Sequence, residues 1–538
     1  MKLRKLMAIF ICGAMLCSCA ESKVDDEAPK STDPTEIVTT VQTEPVETTD
    51  AASKEENTDR KAMYRTIRLK YPQEDSKVAN ETYEKICKLY PDKNVLVWQL
   101  DPKITPPSSA VISDYLDSLG KNYAVYFRTA PDLYRDSEFS GMLSYTLYGE
   151  TVGELIEQGE QIDIIDAYSI YGELSLKGYL EALDGYFADT ETGQNLYEMM
   201  PKNYWRGCEV GGKVYGFCSY LTLGMRSGCY VNSFLADKYG YDVNKPILDQ
   251  LDILNKVKGE PCDTVMTWKS FYEPSNQTTG ILLDDCVLWD DDAKEAKSIL
   301  SDSEYVEVLR TYFELAKEGL VTQQPIRDSF FIYEQSISCP VDGETVIEVP
   351  YKTLTSGETS LVPVYLSSQS GTYIKSCGIG TGIMANSEHK AEAFDMLVTA
   401  FTDEHLNNLL SYGEDYRGRI QDDRIFTSGR DLVRSWVFLN PIIAIPPMTE
   451  PLEWSEQWVK GIESAYVSED VGFVLDMSGL ERTSDAIHAV NVEMARELFS
   501  QEYETFEDYL EEFAKRLDEA GEREIIVAAN SQYETWNN

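Results

Sequence analysis

Histidine is nearly missing from this chain: 538 residues hold three, His389, His405 and His488. Zinc sites and triads built on imidazole have little to draw on, and neither an H-E-x-x-H nor a G-x-S-x-G pattern occurs. Basic residues are scarce as well. Lys and Arg number 48 against 92 Asp and Glu, a formal charge of −44, and so acidic a surface disfavours nucleic acid as a partner. After residue 19 no apolar run approaches the roughly eighteen residues that a membrane-crossing helix needs. Beyond Cys19 there is no C-x-x-C pair. Eight cysteines are left there, Cys87, Cys208, Cys218, Cys229, Cys262, Cys286, Cys339 and Cys377. They are too sparse for a disulfide scaffold, and their even number leaves both bridges and free buried thiols open.

The N-terminus carries an address. Lys2, Arg4 and Lys5 precede an apolar stretch over 6–16, which ends in Leu16-Cys17-Ser18-Cys19. This looks like a lipobox, which implies a signal peptide over 1–18, cleavage before Cys19 and diacylglycerol on its thiol. Residues 19–60 follow as an acidic linker rich in Thr and Pro and without aromatics, too polar to offset the entropy of ordering. As a flexible coil of about forty residues it would span roughly 35 Å.

Strand and helix patterns then alternate. VLVWQL at 95–100 reads as a strand buried on both faces, and Val111, Ile112, Tyr115, Leu116 and Leu119 as a helix capped by Ser108 or Ser109. NYAVYFR at 122–128 and IDIID at 162–166 are further strands, an order that implies a parallel sheet with crossover helices. Ligands of such sheets sit beyond the carboxyl ends of the strands, which singles out Trp98 to Lys103 and Asp166 to Tyr171. Gly211-Gly212 predicts a hairpin turn, and Tyr305, Val308, Leu309, Tyr312, Phe313 and Ala316 form one helical stripe. In CGIGTGIMANSEHKAEAFDMLVTAFTDEHLNNLLSYGEDY, 377–416, a Gly-spaced strand leads into two helices, the second with Thr402 as its capping candidate and ending at Tyr412-Gly413.

Several patterns match chemistry only by letter. Gly207, Gly212 and Lys213 fit a phosphate loop, but Val214 stands where Mg²⁺ needs a hydroxyl. Ser387 and Lys390 have the spacing of a Ser–Lys nucleophile at what reads better as a helix cap. Gly378, Gly380 and Gly382 lack the dinucleotide spacing, so close packing is the expectation. Asp290 to Asp292 lack the Gly of a calcium loop and are followed by Lys294, so a solvated helix start is expected. No cofactor and no metal are indicated.

The 377–416 segment resembles the part of family 1 extracellular solute-binding proteins, the capture subunits of carbohydrate ABC importers, that leads out of their hinge. There a Gly-rich crossing strand, Asn-Ser, a helix and "DEE...LLxYG" follow one another. Here Glu414, Asp415, Tyr416 and Arg417 stand where many relatives have a Gly and a His. IDIIDAYSIYGELSLKGYLEALDGYF, GMRSGCYVN, the Trp289 region with the helix after it, SWVFLNPIIAIPPMTEP and the last two helical stretches resemble the family in the same order, scattered over 95–536.

The resemblance implies an α/β, periplasmic-binding-protein-like fold. Two α/β lobes would be joined by a hinge, with a ligand cleft between them. Lobe 1 is expected over 61–225 plus 385–440 and lobe 2 over 232–376 plus 445–538, with crossings near Arg226 and Gly380. The expected function is capture of a carbohydrate, most simply an oligosaccharide, and its delivery to ABC permease subunits, without catalysis. The protein would be held by its lipid on the outer face of the cytoplasmic membrane of a Gram-positive-type bacterium. Expected stacking groups are Trp98, Tyr168, Tyr171, Trp289, Tyr412 and Trp436, and expected hydrogen-bonding groups are Asp101, Asp166, Arg226 and Glu414. A cell-surface glycoside hydrolase, which needs only two spaced carboxylates, and a glycan-binding adhesin lipoprotein are the alternatives.

Overall fold

The structure is a computed structural model that describes residues 83–101, 104–129, 152–153, 155–168, 170–220, 223, 225–226, 228–242, 245, 247–258, 264–267, 281–284, 286–322, 330–334, 337–338, 349–353, 357–365, 373–374, 380–427, 429–448, 450 and 452–537. The signal peptide, Cys19 and the linker lie outside the described residues.

Among the described residues two large hydrophobic cores organise the chain, and a smaller cluster of Ile86, Val95, Val97, Ala124 and Tyr126 packs separately from both. The first surrounds a five-stranded sheet in the order Tyr123–Thr129, Asn94–Leu100, Ile164–Tyr168, Gly380–Ile383, Gly216–Cys218. The first three strands are parallel, as the alternation of strand and helix implies. From Val95 to Leu100 every residue is buried, which is why that strand reads as one apolar run rather than an alternation. The helix Ser109–Ser118 covers it with Ile112 and Leu116, and Ser108 accepts the Val111 N–H at its start. The strand Gly380–Ile383 returns antiparallel to both of its neighbours, so Gly216–Cys218 runs in the direction of the first three.

From Gly380 the chain enters the helices Lys390–Thr402 and Glu404–Tyr412. Thr402 still belongs to the first of these. The cap of the second is Asp403, whose Oδ1 accepts the Leu406 N–H at 2.7 Å, because a carboxylate competes better than a hydroxyl for a helix N-terminus.

The second core lies under a six-stranded sheet in the order Val321–Thr322, Thr264–Thr267, Phe330–Glu334, Gly228–Asn232, Gly357–Tyr365, Val349–Thr353, beside a three-stranded sheet of Ile281–Asp284, Val287–Asp290 and Glu295–Ser298. The helix Ser303–Lys317 and the C-terminal helices Glu481–Ser500, Phe506–Ala520 and Glu522–Trp536 complete it. Phe506, Tyr509, Phe513 and Leu517 recur at helical spacing and are buried, each contributing about 1.5–3 kcal/mol.

Two expectations are corrected here. Asp290 to Asp292 do not start a helix. They form the turn between the strands Val287–Asp290 and Glu295–Ser298, with Asp290 Oδ1 accepting the N–H groups of Asp292 and Ala293. An acidic run suits either arrangement, and strand pairing with Ala296 and Lys297 decides it. The stretch after 445 does not belong wholly to the second lobe. Trp454, Trp458, Ile462, Ala465 and Val471 pack in the first core, where the two indoles meet Tyr220 and Tyr204, and Phe473 is the first of this stretch in the second core.

Of the eight cysteines, Cys87, Cys208, Cys218 and Cys286 are thiols rather than half-cystines, the last three of them buried. The other four are not described at side-chain level. Among the described residues, no helix is long and apolar enough to cross a membrane.

Candidate functional site

In the first sheet, four strands of one direction end at a common edge. Gly380 pairs with Tyr168 on one side and with Cys218 on the other, so Leu100, Thr129, Tyr168 and Cys218 all deliver their successors there. Asp101 and Asp166 stand at this edge, each only 1% exposed. The Asp101 N–H points at Asp166 Oδ2 at 3.3 Å, so the second carboxylate fixes the turn out of the first strand. A charge so removed from water is costly unless hydrogen bonds hold it, and packing alone would have selected an apolar residue. Beside them Arg128 Nε donates to Gln99 Oε1 at 2.7 Å, and its guanidinium lies 3.8 Å from Glu160.

Two residues that the sequence reading did not single out join this edge. Tyr220, half-buried, follows the strand Gly216–Cys218, and its ring sits edge-on to Trp454 at 5.5 Å. Arg434 reaches from the helix Gly429–Phe438 to donate Nε–H to the Thr105 carbonyl at 3.0 Å. Tyr220 was findable, since it stands two residues past a strand of the parallel set. Arg434 was not, because nothing local ties it to a carbonyl more than three hundred residues earlier.

The other expected site residues fall into two groups. Tyr168 ends the strand Ile164–Tyr168, Arg226 lies in the strand Met225–Arg226 paired with Ile337–Ser338, and Trp436 lies in the helix Gly429–Phe438. The side chains of these three lie outside the described residues. Glu414 is described and exposed, one residue past the helix that ends at Tyr412.

Four expected stacking groups are core instead. Trp98 is fully buried between Phe127 and Phe438, at 5.5 and 5.2 Å between ring centroids. Tyr171 donates its hydroxyl proton to the Cys208 carbonyl at 2.8 Å and accepts the Tyr215 N–H at 3.1 Å. Its ring lies on Gly380, where a Cβ would stand 2.8 Å from a ring carbon, so that position of the crossing strand admits only glycine. This is the close packing expected there; Gly378 is outside the described residues. Trp289 is fully buried in the second core, 4.0 Å from Tyr533 between centroids. Tyr412 donates to the Ile445 carbonyl at 2.9 Å, and burial, reinforced by the charge of Asp431, holds its hydroxyl well above the usual tyrosine range. A ring packed on both faces has none left for a sugar, so the aromatic signal in these four was a packing signal.

The Ser387–Lys390 pair is not a nucleophile and its base. The Ser387 hydroxyl donates to Asp163 Oδ1 at 2.6 Å and accepts the His389 N–H at 3.0 Å, while Lys390 pairs with Glu181 at 2.9 Å. Among the described residues no three His, Cys, Asp or Glu side chains are placed to hold a metal ion.

No protein-family model matches the chain, and no curated protein does. Solved structures do. An N-glycan transport solute binding protein from Streptococcus pneumoniae superimposes with a TM-score of 0.61 at 16% identity, over 82% of this chain and 99% of that one. The ABC-transporter substrate binding protein FusA of S. pneumoniae, solved with kestose, gives a TM-score of 0.50 at 12% identity, over 82% of this chain and 99% of its own. An ABC-transporter-associated solute binding protein from Bifidobacterium longum infantis, described as binding HMO, gives the same values. With the two cores and the crossing strand, these likenesses give this chain the two-lobed α/β fold of periplasmic-binding-protein-like solute-binding proteins.

Proposed function

We propose that this protein is the capture subunit of a carbohydrate ABC importer, tethered by a lipid at Cys19 to the outer face of the cytoplasmic membrane. It closes two lobes on an oligosaccharide and presents the loaded form to permease subunits, without chemistry of its own. The observation that carries the reading is the shared fold, which spans 99% of a glycan-transport binding protein and most of this chain. In support, the carboxyl edge of the first sheet offers what a sugar needs. Asp101 and Asp166 would accept from hydroxyls, Arg434 would donate and Tyr220 would supply a ring face for the C–H side of a pyranose, and we add Tyr168, Arg226 and Trp436 as proposed contacts from their sequence positions alone. Closure follows when a ligand touches both lobes and so favours the closed state over the open one.

Calorimetric titration with mono- and oligosaccharides tests this, with peptides as the control panel. Saturable binding of at least one glycan is expected, weakened tenfold or more by D166N with little change in melting temperature. Binding of peptides alone would overturn the carbohydrate assignment, and release of shorter glycans, seen by mass spectrometry, would overturn the non-enzymatic one.

A further inference from the structure

Between the two cores the chain changes allegiance within a few residues. Val471 is buried in the first core and Phe473 in the second. Gly472, at φ +95°, gives its carbonyl to the Gly211 N–H of a first-lobe hairpin at 2.9 Å, and a Cβ there would press on the Glu209 carbonyl at 3.2 Å. Immediately before it, Asp470 is tied to the second lobe from three directions. Trp289 Nε1 and Lys294 Nζ donate to Oδ2 at 2.6 and 2.9 Å, and the Tyr533 hydroxyl donates to Oδ1 at 2.6 Å. Ser468 adds a bond to Asp291 Oδ1 at 2.8 Å.

The geometry points to Lys294 as a tethered cation that rivets this interlobe segment to the second lobe and thereby places the axis of lobe rotation at Val471–Gly472. The kinematic part is elementary: a point fixed in both of two rigid bodies lies on the axis about which one turns against the other. Asp470 and Phe473 are fixed in the second lobe, and the two residues between them in the first. Four consecutive residues span at most about 11 Å, so the axis is confined to that distance.

The electrostatic part assigns the task to Lys294. Asp470 is 4% exposed in a chain of net charge −44, and Asp291 and Glu469 stand beside it. Two neutral donors satisfy lone pairs but leave the charge. The ammonium of Lys294 neutralises it and also reaches Glu469 at 3.3 Å. Burial pulls the Lys294 ammonium down, and its bonds to Asp470 and Glu469 raise it further than that, so it stays charged. Lys294 sits at φ +55°, a left-handed conformation that costs a side-chain-bearing residue about 1 kcal/mol, where glycine would be free of strain. The hairpin closes there through the Lys294 N–H on the Asp290 carbonyl at 2.8 Å, and the lysine side chain leaves this turn toward Asp470.

The test is amide hydrogen exchange with no carbohydrate present, so its outcome is separate from the binding reading above. In K294M, exchange over 466–474 should rise at least tenfold while the strand Asn94–Leu100 and the helix Phe506–Ala520 keep their protection. Spin labels on the two lobes should show a broader interlobe distance distribution, and K294R should restore both. Unchanged protection over 466–474 in K294M would overturn the proposal. Should K294M fail to fold, K294Q, which keeps a donor and loses the charge, is expected to raise exchange there at least threefold. No rise in K294Q would overturn it equally.

Discussion

Trp98 and Trp289 occupy almost the same sequence, VLVWQLD in the first lobe and CVLWDDD in the second, and both are fully buried. Their polar ends fare differently. The Trp98 indole is packed among Phe127 and Phe438, and among the described residues its Nε1–H has no acceptor. The Trp289 Nε1–H donates to the carboxylate of Asp470. One ring fills space at a cost, while the other helps to hold a charged junction between lobes. The difference lies in a partner 181 residues away, so composition around a tryptophan reveals burial but not purpose.

The sharpest way to break this comparison is to make the same substitution at both sites. W289F should be the more damaging. It leaves a cavity worth about 1 kcal/mol and removes a charge-assisted hydrogen bond from a buried carboxylate, worth about 1.5–3 kcal/mol more. A loss of about 2.5–4 kcal/mol in denaturant unfolding is expected. A W289F loss of only about 1 kcal/mol, the cavity cost alone, would show that the Asp470 bond contributes nothing.

The same contrast explains what could be read in advance. The first sheet was legible because its strands are apolar runs whose ends are marked by Asp101 and Asp166, and the order of segments carried the two-lobed fold. The site was legible only as an edge. Trp98, Tyr171, Trp289 and Tyr412 looked like sugar platforms because a strand-end aromatic and a packed one have the same neighbours in sequence. The turn at Asp290 to Lys294 was missed for a related reason. Its left-handed residue is a lysine, where glycine or asparagine would have signalled a hairpin turn. Arg434 and Thr105 show the same limit at the edge itself.

A buried carboxyl in the second lobe sharpens the picture through pH. Glu522, 8% exposed, begins the last helix, and burial pushes its carboxyl up to about 7, with Ser298 bonding partly opposing. In the unfolded chain it titrates near 4.5. A folded-state value above the unfolded one means that its contribution is fully present below pH 4.5 and is lost as pH rises through about 7. Gln does not titrate, so E522Q should be more stable than the native chain at pH 8 by about 1–3 kcal/mol and nearly equal to it at pH 5. Glu450, pushed up to about 8 by burial in a loop beside Tyr412, declines in the same window. The measurement is therefore the difference between E522Q and the native chain at the two pH values. A constant difference would place the Glu522 titration outside this range.

The smallest expected effect is W98F, and it is the one that decides what kind of site Trp98 is. Shrinking the indole to a phenyl ring costs about 1 kcal/mol in cavity and lost contacts. It also deletes a buried N–H without an acceptor, a group whose desolvation costs about 1–3 kcal/mol while it is present. The two terms oppose each other, so W98F should range from as stable as the native chain to about 2 kcal/mol more stable. Carbohydrate titration of the same variant closes the question from the other direction. A ring packed between Phe127 and Phe438 offers no face to a ligand, so affinity should be unchanged. A W98F variant that folds with native stability and loses tenfold or more in glycan affinity would return Trp98 to the cleft and make its burial a property of the unliganded arrangement alone.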